Sequence, residues 1–228
     1  MLRGCDISNW QKGINVAGLD CDFVICKATE GTFFVDPYCD GFIQAAIGSG
    51  KLWGFYHFAT EANPEEEAEF FAENCSGYDC YGIPVLDYEV WGNNYNDIEW
   101  CERFMTRYHD LTGVWPLLYI SASHCNSFRD SWIPQTCGLW LAGYPYDVPA
   151  DYECPYDCSP WEFVAIWQYA DDEHLPGYMG DLDGDVAYMD AAAWEKYATG
   201  GNAPWQDVEA PAEPKKKVLT GRVTIELD

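Results

Sequence analysis

Short apolar segments recur at eight places in this chain, and each is short enough to form a single buried strand. The segments are residues 2–7, 22–28, 52–58, 83–89, 116–121, 139–142, 163–169 and 185–189. Helix signals occur at residues 37–50, 64–75, 96–111 and 190–197. Strands that alternate with helices are typical of α/β folds, and eight of them predict a barrel of mostly parallel strands. Because the later connections carry few helix signals, we expect fewer than eight full outer helices.

The fourth segment ends in two carboxylates, Asp87 and Glu89. Because side chains alternate across a strand, both acids share one face with Val85. Two neighbouring carboxylates are costly, since each raises the pKa of the other. The pair therefore indicates either a functional site or two solvated acids where a strand meets a loop.

Acidic residues also stand at the ends of other predicted strands. Functional side chains of a parallel barrel gather at the C-terminal ends of its strands. Asp6 ends the first strand, Glu30 lies just beyond the second, and Asp185 lies at the eighth, which neighbours the first if the ring closes. Carboxylates that meet at one barrel mouth suit glycoside hydrolysis, in which one donates a proton and another stabilises positive charge or acts as nucleophile.

Aromatic residues make up 17% of the chain, which is a high share. Flat rings stack on the apolar faces of sugars, and they also build cores. Five rings near predicted strand ends are candidate sugar-binding residues, namely Trp10, Tyr56, Tyr119, Trp140 and Trp167. A purely structural role in the core is the alternative for each of them.

The charge balance excludes several classes of partner. The chain holds 38 acidic and 12 basic residues, for a net charge of −26. Such a chain repels nucleic acids and anionic membranes, and no basic patch offsets the repulsion. Its 11 cysteines lack CxxC spacing, and the close pairs at 75/80 and 154/158 have no nearby histidine, so we expect no zinc site. We expect mostly free thiols, and the alternative is one or two disulfides formed after release into an oxidising medium. Residues 181–185 resemble the start of a calcium loop but lack its later ligands, and we expect no metal or cofactor.

The two ends of the chain carry separate expectations. The first five residues contain no apolar segment of a signal peptide, so we expect a protein made without one or a chain from which it was removed. The sequence contains no run of ~18 apolar residues that would predict a membrane span.

We expect a barrel domain at residues 1–198 and a linker at 199–217. Residues 218–228 alternate like one strand, which either docks on the barrel or begins a missing element.

Six motifs, in order, resemble the family 25 glycoside hydrolases, the Chalaropsis-type lysozymes that bacteriophages also use as endolysins. They are DISNWQ at 6–11, KATEG at 27–31 with DP at 36–37, GFYHF at 54–58, LDYE at 86–89, WLA at 140–142 and IWQY at 166–169. The resemblance implies a flattened TIM-like barrel with eight strands and about five helices. It also implies cleavage of the β-1,4 bond between N-acetylmuramic acid and N-acetylglucosamine in peptidoglycan, with retention or with participation of the acetamido group.

The resemblance assigns roles to the acids. Glu89 would protonate the leaving oxygen, and Asp87 would be its ionised neighbour. Asp6 and Asp185 match the family's other two active-site acids. The resemblance further implies a protein that acts at the bacterial cell wall, released like a phage endolysin or secreted, and we expect a monomer.

The segment GDVA at 184–187, near the last predicted strand, departs from the family pattern of Val-Asp-x-Asn. Ala187 stands in place of the asparagine, and Asp183 lies two residues before Asp185. Two other functions stay open. One is a chitinase-like hydrolase of N-acetylglucosamine polymers, whose D-x-E strand end fits residues 87–89. The other is a non-catalytic barrel that binds cell-wall sugars.

Overall fold

The computed structural model describes residues 1–60, 62–89 and 97–201, and these form nine strands and five α-helices. The strands are β1 (Leu2–Ile7), β2 (Phe23–Glu30), β3 (Phe34–Val35), β4 (Leu52–Phe58), β5 (Ile83–Asp87), β6 (Leu117–Ser121), β7 (Leu139–Ala142), β8 (Ile166–Glu173) and β9 (Leu182–Ala187). The helices are α1 (Cys39–Gly48), α2 (Pro64–Cys75), α3 (Ile98–Thr112), α4 (Ile133–Thr136) and α5 (Ala191–Thr199).

Eight of the strands close into a barrel in the order β1-β2-β4-β5-β6-β7-β8-β9, with β9 paired to β1. The pairings from β1 to β8 are parallel, whereas β9 is antiparallel to both β8 and β1. The short strand β3 pairs with β2 outside the ring. The predicted α/β barrel with eight mostly parallel strands and about five helices is therefore confirmed.

The strands of the barrel are buried on both faces. Ile25 and Val85 belong to the apolar cluster inside the ring, while their neighbours Val24 and Leu86 pack in the layer between the ring and the helices. This double burial explains why the strands are continuous apolar runs in the sequence rather than alternating ones.

Helix α5 covers the N-terminal end of the barrel. The ring of Trp194 lies 4.8 Å from the ring of Phe23, the first residue of β2. Asp190 caps this helix by accepting a hydrogen bond from the backbone N–H of Ala193 at 2.8 Å. With that end covered, the C-terminal ends of the parallel strands face the open side.

Several predicted boundaries shift in the structure. Strand β8 begins at Ile166 and continues to Glu173, and β9 begins at Leu182, three residues before the predicted start. The connection between them is too short for a crossover, so the two strands form an antiparallel pair. Helix α1 is shorter than predicted, and α3 is capped by Asp97. The predicted cap at residue 96, and residues 202–228 with the predicted tail and most of the linker, lie outside the described residues.

The 11 cysteines are free thiols, as expected. Cys5 and Cys26 are fully buried in strands, where a thiol packs as a small apolar side chain. Within the described ranges, no helix is long and apolar enough to cross a lipid bilayer.

Candidate active site

The open end of the barrel holds a cavity of about 250 Å³. Each strand of the ring contributes at least one side chain to it. The lining combines carboxyl groups, aromatic rings and a lysine, from Asp6, Ser8, Trp10, Lys27, Tyr56, Phe58, Asp87, Glu89, Tyr119, Trp140, Tyr144, Gln168 and Asp183.

Asp87 and Glu89 reach the cavity from the end of β5. Asp87 is the last residue of the strand, and the alternation of side chains brings Glu89 to the same side. Neighbouring strands hold this segment by its backbone. The N–H of Ala59 donates to the carbonyl of Asp87 at 2.9 Å, and the N–H of Tyr88 donates to the carbonyl of Tyr119 at 3.0 Å. The backbone of Asp87 and Tyr88 is therefore held by the sheet, which places Asp87 directly and brings the chain to Glu89.

Tyr88 lies between the two acids and points away from the cavity. Its ring stacks on Trp100 of α3 with the centroids 5.8 Å apart, and its hydroxyl donates to the carbonyl of Asp97 at 3.3 Å. This contact ties the segment that follows β5 to the start of α3, so the direction of the Glu89 side chain is set by packing on the opposite face.

Asp6 is held by a chain of hydrogen bonds across the barrel. Gln168 donates from Nε2 to Asp6 Oδ2 at 2.7 Å. The other end of that amide accepts hydrogen bonds from the hydroxyls of Tyr119 at 2.7 Å and Tyr144 at 2.6 Å. The amide oxygen therefore faces the two phenols, and the amide nitrogen faces Asp6.

The last strand brings two further acids to this region, at different depths. Since β9 is antiparallel to β1, Asp183 pairs with Asp6, and Asp185 pairs with Gly4, farther from the mouth. Asp183 lines the cavity, whereas Asp185 is fully buried and accepts a hydrogen bond from Trp140 Nε1 at 2.9 Å. The other carboxyl oxygen of Asp185 has no hydrogen-bond partner among the described residues.

The acids of this region are all harder to ionise than in water. Burial, and then the charge of Asp183, raises the pKa values of Asp6, Asp185 and Glu89. Burial and the charge of Glu89 raise the pKa of Asp87 well above its ordinary value. Burial raises the pKa of Asp183 to about 6. Each of these carboxyl groups therefore holds its proton to a higher pH than an acid in water does, which favours a proton-donating role.

Lys27 opposes this effect. Its Nζ lies 2.6 Å from Oε2 of Glu30 and 4.6 Å from the centre of the Phe58 ring. Its positive charge acts to lower the pKa values of Asp87 and Glu89. In the described part of the chain, no group of three or more potential ligands is arranged to hold a metal ion.

The sequence of the chain also matches a known family. The profile of glycosyl hydrolases family 25 matches residues 5–178, more than half of the chain. The chain is a family 25 glycoside hydrolase. The match includes Asp6, Asp87 and Glu89 and stops before β9, so it does not cover Asp183 or Asp185.

Relatives of this glycoside hydrolase match it in sequence or in structure over most of their length. The N,O-diacetylmuramidase of Chalaropsis sp is 28% identical over 224 residues, which is 87% of this chain and 100% of the relative. The lysozyme of Streptomyces coelicolor has a TM-score of 0.74 at 27% identity, over 88% of this chain and 98% of that structure. The muramidase of Acremonium alcalophilum has a TM-score of 0.71 at 28% identity, over 88% and 100% of the two chains.

In this family 25 enzyme, the structure brings together seven of the ten predicted site residues. Those that line the cavity are Asp6, Trp10, Tyr56, Asp87, Glu89, Tyr119 and Trp140. Glu30 contacts Lys27 instead, and Asp185 lies beneath Asp6. The expectation that Trp167 lines the cleft is corrected. Its side chain is fully buried on the outer face of β8 and donates to the carbonyl of Gly143 at 2.9 Å, because its neighbour Gln168 takes the inner face.

Six lining residues were not predicted from the sequence, namely Ser8, Lys27, Phe58, Tyr144, Gln168 and Asp183. A signal was present for Lys27 and Gln168, since each is a polar residue within an apolar strand. A polar group in such a position needs a partner, and here both partners belong to the site or its border.

Proposed function

We propose that this family 25 glycoside hydrolase cleaves bacterial peptidoglycan at the β-1,4 bond between N-acetylmuramic acid and N-acetylglucosamine. The observation that carries the proposal is the convergence of Asp6, Asp87, Glu89 and Asp183 on one cavity with aromatic walls. Support for the substrate comes from relatives named N,O-diacetylmuramidase, lysozyme and muramidase.

Glu89 is the proton donor in this proposal. It stands beyond the end of β5, nearer the opening than Asp87, and burial raises its pKa. As the bond between the sugar carbon and the bridging oxygen breaks, the proton of Glu89 passes to that oxygen, and the leaving sugar departs as an alcohol.

Asp87 supplies the negative charge that the positively charged transition state requires. It acts either as the nucleophile or by orienting the acetamido group of the muramic acid. Asp87 is only 7% exposed, and burial makes it harder to ionise than an acid in water. Its role as an anion therefore depends on nearby positive charge.

The aromatic residues of the mouth hold the sugar in this proposal. Trp10 is 84% exposed at the cavity edge, so its ring is available for stacking on a sugar face. Tyr56, Tyr119 and Trp140 form the wall and are almost fully buried. We assign to Asp6 and Asp183 the hydrogen bonding of sugar polar groups.

The enzyme acts as a monomer at the cell wall, after endolysin-like release or secretion.

Mass spectrometry of purified peptidoglycan digested by the enzyme tests the bond that is cleaved. Fragments that end in reducing N-acetylmuramic acid are expected, and reducing N-acetylglucosamine would contradict the assignment. Turnover of chitin oligomers without any peptidoglycan cleavage would favour a chitinase-like enzyme. Sugar binding without any cleavage would leave a binding barrel.

Glu89→Gln tests the proton donor. Loss of a general acid lowers the rate by about 10²- to 10⁴-fold, and that loss is the expected result for kcat on peptidoglycan. Glu73→Gln, a matched change at an exposed residue of α2, should leave the rate unchanged. A Glu89→Gln enzyme with nearly normal turnover would remove Glu89 from the mechanism.

A further inference from the structure

We propose that Lys27 is a positioning residue whose confined positive charge stabilises negative charge on the acid pair Asp87 and Glu89. The inference rests on the proposed function of this cavity. Among the described lining residues, Lys27 carries a positive charge against the four carboxyl groups of Asp6, Asp87, Glu89 and Asp183.

The ammonium group of Lys27 is held in place on several sides. Glu30 accepts its hydrogen bond at 2.6 Å, and the rings of Phe58 and Phe34 lie 4.6 and 5.6 Å from Nζ. Rings at these distances attract a cation through their faces. The side chain is only 14% exposed. A charge confined in this way acts on its neighbours from a constant position.

A bulge in β2 helps to place this group. The register between β2 and β4 shifts between Lys27 and Thr29, so that Lys27 pairs with Tyr56 and Thr29 pairs with His57. Such bulges turn side chains in a new direction and are common next to active sites. Lys27 itself faces the cavity by alternation with Phe23 and Ile25, and the bulge that follows lets Glu30, three residues later, reach its ammonium group.

The charges that act on Asp87 come from three strands. Glu89 follows β5 itself, Asp183 lies on β9, and Lys27 and Glu30 lie on β2. Only the lysine favours the ionised form of Asp87. The same holds at Glu89, where burial and Asp183 oppose ionisation and Lys27 favours it.

Loss of Lys27 should therefore move both titrations in one direction. The acidic limb of the kcat/KM profile reports the group that must be ionised, and the basic limb reports the group that must be protonated. Without the cation, both carboxyl groups hold their protons to higher pH. We expect both limbs of Lys27→Met to shift upward by about one pH unit.

Two further variants test the charge rather than the packing. Lys27→Arg keeps the charge and should leave both limbs of the kcat/KM profile at their wild-type positions. Glu30→Gln leaves the lysine without its anion, so both limbs should shift to lower pH. Shifts of opposite sign at Lys27 and Glu30 are difficult to obtain from a general loss of structure.

Carbon-13 NMR titration of the carboxyl groups of Asp87 and Glu89 gives the same answer without a substrate. Signals are assigned by their loss in Asp87→Asn and Glu89→Gln, and both should titrate at higher pH in Lys27→Met.

The proposal is overturned if the limbs of the kcat/KM profile and the NMR titrations of Lys27→Met coincide with those of wild type. It is also overturned if Lys27→Met raises KM without moving either limb, a result that would mark Lys27 as a sugar ligand. If Lys27→Met does not fold, Glu30→Gln alone decides. If the wild type cleaves no peptidoglycan, the proposed function fails while the NMR titration still tests Lys27.

Discussion

Glu67 offers a direct test of how the wall of the active site is held, because its carboxylate is 0% exposed and accepts four hydrogen bonds. It accepts from His57 Nε2 at 2.8 Å, from the N–H groups of Thr60 and Ala62 at 3.0 and 3.2 Å, and from the Thr60 hydroxyl. His57 stands between the cavity residues Tyr56 and Phe58 on β4, so this network joins α2 to the cavity wall.

Glu67→Gln keeps the shape of the side chain and turns one carboxylate oxygen into an NH₂ group. Each oxygen accepts two of the four bonds, so two buried donors lose their acceptor. An unsatisfied buried donor costs about 1–3 kcal/mol, and we expect a loss of about 3 kcal/mol in the free energy of unfolding. In a chain of this size, that loss lowers Tm by about 6–12 °C.

Calorimetry and urea unfolding measure this loss, with Glu66→Gln as the control. Glu66 is the preceding residue of the same helix and is exposed, so its change should stay within about 0.5 kcal/mol. A Glu67→Gln protein that melts within about 2 °C of wild type would refute the view that this network holds the wall.

The same network predicts how stability depends on pH. Burial lowers the pKa of His57 below its ordinary value, so the folded protein binds this proton less readily than the unfolded chain. The contribution of His57 to stability is therefore complete above about pH 6.5 and falls as the pH drops from there toward the lower pKa of the folded state.

Two other changes have clear expected outcomes. Trp140→Phe removes the hydrogen bond donated to buried Asp185 and should lower the free energy of unfolding by about 1–3 kcal/mol in urea, whereas Trp10→Phe, at an exposed ring, should not. The net charge of −26 opposes binding to an anionic wall, so turbidity clearance should become faster as NaCl rises from ~10 to ~150 mM, and slower clearance would reveal a cationic binding surface.

The sequence was sufficient to predict the ring of strands and the shared face of Asp87 and Glu89. Both depend on short-range rules, namely strand length and alternation. Alternation did not reveal that Gln168 faces inward and Trp167 outward. Because β8 is buried on both faces, apolar side chains occur on either one, and the pattern does not identify the inner face.

The direction of the last strand explains why Asp183, and not the predicted Asp185, lines the cavity. A parallel ring places Asp185 near the mouth, but β9 runs antiparallel, and the earlier residue Asp183 is the one that pairs with Asp6. The short connection between β8 and β9 is a signal for an antiparallel pair, since a parallel crossover needs a dozen or more residues. The shortness of this connection can be recognised only when β9 is known to start at Leu182.

The two faces of β5 have different roles: one lines the cavity, and the other packs against the helices. Asp87 and Glu89 face the cavity, while Leu86 and Tyr88 face the helices and supply packing. Glu89 lies beyond the last strand pairing, so the Tyr88 contacts with α3 fix its position where the sheet no longer does. A carboxyl group displaced by about 1 Å loses much of its effect on a reacting bond. In the proposed mechanism, the aromatic packing behind β5 is therefore as much a condition of proton transfer as the acid itself.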